Sequence, residues 1–126
     1  MSVTMSRVLI VEDTAIARES LARLLKYEGH ETACAANGIE ALASLEQSPT
    51  PDVVLLDLMM PKMDGVKFLE TVRADARFSQ VPVIVMTGSM DSSSLSRIQS
   101  LGVEALMTKA AFDLDALLQR LQRPAA

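Results

Sequence analysis

Short β-branched runs alternate with amphipathic helical periodicity from one end of this chain to the other. Val8-Leu9-Ile10-Val11, Val53-Val54-Leu55-Leu56 and Val83-Ile84-Val85-Met86 are continuous apolar runs of strand length, as strands buried on both faces of a sheet require. Strands are expected near 7–11, 31–35, 53–57, 81–86 and 104–107, and helices near 14–28, 38–48, 65–75, 92–101 and 113–121. The last helix has the cleanest stripe, with Leu114, Leu117, Leu118 and Leu121 at i, i+3, i+4 and i+7, and Asp113 stands where a side chain can cap its first turn. Gly29, Gly38 and the pair Asp64-Gly65 punctuate turns and helix ends. This alternation predicts an α/β domain with a doubly wound, five-stranded parallel sheet and five helices, of flavodoxin-like strand order 2-1-3-4-5. One domain spanning 1–126 is expected, ordered over about 6–122, with Arg123-Pro124-Ala125-Ala126 as a frayed end.

Composition narrows the possibilities. Apolar residues make up 49% of the 126 positions, enough for a core of ordinary size without staples. No run of about eighteen apolar residues offers a membrane span. The apolar run in 1–11 is short and is cut off by Glu12 and Asp13, unlike a secretory signal, so a cytoplasmic location is expected. The net charge is −4 with scattered Lys and Arg and no aromatic-laced basic stripe, which argues against direct nucleic-acid binding. The single cysteine, Cys34, excludes an internal disulfide and is expected to be a small buried side chain; His30, after Gly29, is expected to be solvated or structural.

Five polar residues follow the apolar runs where strands should stop: Glu12 and Asp13, Asp57, Thr87 and Lys109. In a sheet of the expected order, strands one and three are neighbours at the topological switch point, where ligands bind beyond the carboxyl ends of the strands. Glu12 and Asp13 then sit one strand from Asp57, Thr87 one strand away on the other side, and Lys109 two strands away on a stem long enough to reach back. Carboxylates packed this closely repel one another, and a hard cation relieves that repulsion; oxygen-only ligands with open positions favour Mg²⁺. Asp57 is the candidate nucleophile for phosphoryl transfer, with Mg²⁺, Thr87 and Lys109 each stabilising a phosphoryl oxygen.

The acidic pair Glu12-Asp13, the segment Asp57-Leu58-Met59-Met60-Pro61-Lys62-Met63-Asp64-Gly65, Thr87-Gly88 and Lys109 together resemble a response regulator receiver domain of two-component signalling, over essentially the whole chain. The resemblance implies that Asp57 accepts phosphate from a phosphohistidine of a histidine kinase or histidine phosphotransfer protein. It also implies Mg²⁺ ligation by Asp13, Asp57 and the Met59 backbone carbonyl, with Glu12 acting through water. Output is expected through binding a separate downstream protein, by a stand-alone switch that is a monomer or a weak phosphorylation-dependent dimer and is no enzyme toward external substrates. Two positions depart from the family pattern. Ala110 follows Lys109 where proline is usual, and a cis bond there costs roughly 2.5–4 kcal/mol against about 0.5–1 before proline, so the bond is either trans with a rebuilt loop or cis under strain. Leu106 stands where the family commonly carries a rotating aromatic. Phosphorylation is expected to survive both changes, with the conformational relay altered.

Other functions fit less well. A phosphatase of the haloacid dehalogenase type needs an acid two residues after its nucleophile, and Met59 stands there. Flavin binding needs amides and hydroxyls where the loop Glu12-Asp13-Thr14-Ala15 is acidic. A degenerate, phosphorylation-independent interaction module is the principal alternative, opposed by the intact acidic set.

Overall fold

The expected strands form one parallel sheet. The computed structural model describes residues 3–4, 6–58, 65–87, 92–108, 114–121 and 123–124. The strands are β1 (Arg7–Val11), β2 (Glu31–Ala35), β3 (Val53–Asp57), β4 (Val83–Thr87) and β5 (Ala105–Thr108), and the helices α1 (Ala15–Tyr27), α2 (Gly38–Gln47), α3 (Gly65–Ala74), α4 (Ser92–Leu101) and α5 (Leu114–Leu121). Sheet order is β2-β1-β3-β4-β5, all parallel, the flavodoxin-like 2-1-3-4-5 arrangement. Register is set by Leu9 opposite both Ala33 and Val54, Leu56 opposite Val85, and Thr87 opposite Thr108.

Period-two alternation sends side chains to two cores. Leu9, Val11, Val54, Leu56, Val83 and Val85 pack with Leu45, Phe68, Leu69 and Ile98 from α2, α3 and α4. Val8, Ile10, Val53, Leu55, Ile84 and Met86 pack with Leu25, Leu117 and Leu121 from α1 and α5. A strand apolar at every position is thus used on both faces, so the runs show no polar alternation.

Local chemistry sets the ends of the helices. The Asn37 side chain accepts from the Glu40 amide at 2.9 Å, and the Glu40 carboxylate accepts from the Ala36 amide at 2.9 Å, closing the start of α2 reciprocally. Past the end of α1, Gly29 takes φ +94°, a conformation only glycine adopts cheaply. Strand β4 begins at Val83, later than expected, because the Val81 carbonyl is taken by Arg73 Nη1 at 2.9 Å and Pro82 has no amide to donate. The Asp113 cap of α5 lies outside the described residues.

Arg73, in the last turn of α3, also donates to Ser79 O at 3.1 Å and to Gly102 O at 3.0 Å, tying the loops before β4 and β5 to one guanidinium. Desolvation draws its pKa down from the usual arginine range. Arg73→Ala leaves three carbonyls without this donor and is expected to cost about 1–3 kcal/mol in denaturant unfolding. Arg73→Lys should recover only part, because an ammonium lacks the planar fork.

Two expectations are corrected. Cys34 is exposed, because β2 is an edge strand covered incompletely by α1 and α2. Partial desolvation still pushes its thiol pKa up, with Arg18 and Lys26 pulling the other way. The C-terminal end is not simply frayed: Arg123–Pro124 pairs antiparallel with Val3–Thr4 in a two-stranded ribbon. Beside that ribbon, Ser6 donates its hydroxyl to the Leu121 carbonyl and its amide to His30 Nδ1 at 3.1 Å, so His30 is structural, as expected.

Candidate functional site

The β1 and β3 strands end side by side, and their acidic residues meet there. Glu12 continues the row Val8, Ile10 on the α1/α5 face of the sheet, its amide donating to Ala35 O at 3.0 Å so that the ladder runs one residue beyond β1. Asp57 closes the row Val53, Leu55 on the same face of β3. One carboxylate oxygen each from Glu12, Asp13 and Asp57 lie within 4.8 Å of one another. Glu12 is 3% exposed and Asp57 2%, while Asp13 is exposed, giving the cluster a buried floor and an open rim.

Three carboxylates at that spacing repel by about 1–3 kcal/mol per ionised pair, depending on how far water screens them. The donor set contains only hard oxygens, so a hard divalent cation fits it and a soft metal does not. The Thr14 amide approaches Glu12 Oε1 at 3.4 Å.

The remaining expected residues are placed in part. Asp57 lies opposite Met86, and Thr87 follows Met86 at the end of β4, so the Thr87 backbone stands at the same edge of the sheet, one strand from Asp57. Thr108, opposite Thr87, ends β5; Lys109, Ala110 and Met59 lie outside the described residues. Leu106 is 40% exposed on β5.

Of two further contributors, Arg18 was not singled out from sequence and Gly65 was marked there as a turn and as part of the family-like segment. Arg18, one turn into α1, donates Nη1 to Glu12 O at 2.8 Å and to Asp13 O at 3.4 Å. Gly65 opens α3 in direct contact with the β3 end: a Cβ there would lie 2.6 Å from Leu58 Cα and 2.8 Å from Asp57 O. A basic residue five or six positions past an acidic pair, at helical spacing, was the available signal for Arg18. For Gly65 the sequence signalled a turn and nothing about packing.

A doubly wound parallel sheet with an acidic cluster at its switch point defines a class of phosphate- and metal-handling α/β domains. Within that class, the chain matches the response regulator receiver domain family over residues 8–122 and belongs to it. It is 36% identical over 111 residues to Regulator of RpoS from Escherichia coli (strain K12), covering 88% of this chain and 32% of that protein. The chain thus spans about a third of that relative's length. A response regulator receiver protein from Pseudomonas putida superposes with a TM-score of 0.85 at 30% identity, covering 92% of this chain and 94% of that one. The Mn²⁺-bound form of response regulator Rcp1 superposes with a TM-score of 0.76 at 29% identity, covering 92% and 88%. Receiver domains bind a divalent metal at an acidic cluster, and this chain has such a cluster.

Proposed function

We propose that this chain is a phosphoacceptor switch, taking a phosphoryl group from a phosphohistidine of a histidine kinase or histidine phosphotransfer protein onto Asp57 and signalling by binding a separate downstream protein. The observation that carries this reading is the placement of Asp57, 2% exposed at the end of β3, within 4.8 Å of Glu12 and Asp13. A carboxylate oxygen of Asp57 attacks phosphorus, the P–N bond to the imidazole breaks, and its electron pair leaves with the imidazole. The product is a mixed anhydride on the protein itself, so no external substrate is turned over. Asp13, Asp57 and the Met59 carbonyl would hold Mg²⁺, with Glu12 acting through water, and the ion would neutralise negative charge on the transferring group. The Thr87 hydroxyl and the Lys109 ammonium are assigned to the remaining phosphoryl oxygens.

The donor is read as a protein on the basis of the rim. Ile16 and Ile39, in the first turns of α1 and α2, are 78% and 56% exposed at the end of the sheet that carries the acids. Apolar side chains in that position suit a protein surface better than a small phosphodonor. The location is taken as cytoplasmic, where such donors reside; among the described residues no helix is long and apolar enough to cross a membrane. Phosphate adds about −1.5 to −2 charge next to Glu12 and Asp13, enough to bias a two-state element. Leu106, exposed and aliphatic, is assigned a smaller part in that relay than an aromatic would have.

The deciding experiment is intact-mass measurement after incubation with acetyl phosphate and Mg²⁺. One phosphate should be gained, and none when the metal is chelated. A phosphorylation-independent module, the reading kept open by Leu106 and Ala110, predicts no gain under either condition. Mg²⁺ should also raise the melting temperature by mass action, by the equivalent of about 2.7 kcal/mol at a hundredfold excess over its Kd. A flat melting temperature across the titration contradicts the metal site.

A further inference from the structure

We propose that Arg18 is a positioning residue for the divalent-cation pocket, clamping the backbone that carries Glu12 and Asp13; this rests on the reading of the pocket as a cation site. The half-buried guanidinium donates from Nη1 to Glu12 O at 2.8 Å and reaches Asp13 O at 3.4 Å. Two successive carbonyls facing one donor nitrogen fix the orientation of the Glu12–Asp13 peptide. With it they fix the two Cα positions from which the carboxylates project.

The anchor of this clamp is firm. Arg18 is built into α1, its own amide donating to Thr14 O at 2.9 Å, so the helix and the acidic loop are joined twice across one turn. The loop that carries the acids also needs a clamp. The N-cap of α1, Thr14, makes no side-chain capping bond, and the local brace within the turn is the long 3.4 Å approach of the Thr14 amide to Glu12 Oε1. Asp13 is exposed and has no core packing to hold it. Carboxylates that bind a metal tightly must be held to within about half an ångström, and here the residue reaching back from the helix supplies that constraint.

Arg18 acts in a second way, with the opposite sign. Its positive charge beside three carboxylates offsets part of their repulsion without a metal, and it opposes the arrival of a cation. The clamp outweighs the charge for two reasons. Both bonds go to neutral carbonyls, which directs the guanidinium at the backbone, and the rim around Asp13 is open to screening water.

Mg²⁺ affinity measured by isothermal titration calorimetry on the full chain separates these effects, using wild type, Arg18→Ala, Arg18→Gln and Arg18→Lys. Arg18→Ala and Arg18→Gln should bind Mg²⁺ about tenfold more weakly or worse, the loss seen when groups behind metal ligands are removed. Arg18→Lys should be intermediate, since its shorter side chain brings the ammonium less far toward the two carbonyls that Nη1 meets. Melting temperatures in EDTA serve as the structural control and should move little. Equal affinity in wild type and Arg18→Ala overturns the clamp, and so does tighter binding, which would leave only the charge effect. If Arg18→Ala does not fold, Arg18→Lys decides, because it keeps the charge and loses the reach of Nη1 to the two carbonyls; wild-type affinity there overturns the proposal. Failure of the wild type itself to bind Mg²⁺ brings down the cation-site reading as a whole, a result distinct from failure of the clamp alone.

Discussion

Asp57→Ala will take up no phosphate from acetyl phosphate and Mg²⁺ under conditions in which the wild type gains one. The expected effect is complete, because the substitution removes the attacking oxygen rather than weakening its surroundings. Asp57 is 2% exposed, and of the three clustered carboxylates it is the one on the central strand β3, flanked by β1 and β4. Glu12→Gln offers the informative contrast: it removes one negative charge from the cluster and leaves Asp57 in place, so uptake should slow and its Mg²⁺ requirement rise without being abolished. Intact-mass time courses on the three proteins read both effects. Equal uptake by wild type and Asp57→Ala would move the acceptor elsewhere and refute the assignment.

Gly65→Ala will destabilise the fold and slow phosphate uptake together. The added Cβ would lie 2.6 Å from Leu58 Cα and 2.8 Å from Asp57 O, and both are backbone atoms that cannot rotate away. The start of α3 must therefore retreat from the end of β3, weakening the bond from the Gly65 amide to Leu58 O, now 3.0 Å long. Overpacking of this kind costs about 1–3 kcal/mol, a fall of roughly 3–10 °C in melting temperature for a chain of this size. Because the displaced backbone carries Asp57, uptake should fall in protein that is still folded, which thermal melts and mass time courses on the same sample will show. Gly29→Ala is the control: its φ of +94° makes alanine strained, but a Cβ there meets nothing within 4 Å and lies far in sequence from the acids. It should lose stability and keep its rate of uptake. Loss of rate in both variants would tie uptake to general stability instead of to the α3–β3 contact.

Fold class and element order were legible because apolar runs and helical stripes are local signals. Val53 to Leu56 is apolar on both parities, as a central parallel strand must be, and the Leu114-to-Leu121 stripe marks the helix that packs on it. Strand ends were less legible: β4 starts at Val83 because a side chain from α3 takes the Val81 carbonyl, a contact eight residues away in sequence. The exposure of Cys34 is not legible in sequence for a related reason. An apolar stretch does not reveal whether its strand lies inside the sheet or on its edge, and β2 is an edge. Arg123–Pro124 reads as a polar tail, and its partner Val3–Thr4 is at the opposite end of the chain, so no window of sequence contains both.

The sequence by itself determined a parallel α/β domain with acids at the ends of its first and third strands, since period, strand length and the residue closing each run are properties of neighbouring positions. Tertiary structure decided which of those residues share a pocket. Strands 1 and 3 are separated in sequence by a whole β/α unit, and only their pairing brings Glu12 and Asp13 to within 4.8 Å of Asp57. It also decided that Arg18 reaches back to the acidic loop and that Gly65 touches the backbone of Asp57, because close approach depends on where helices come to rest against the sheet.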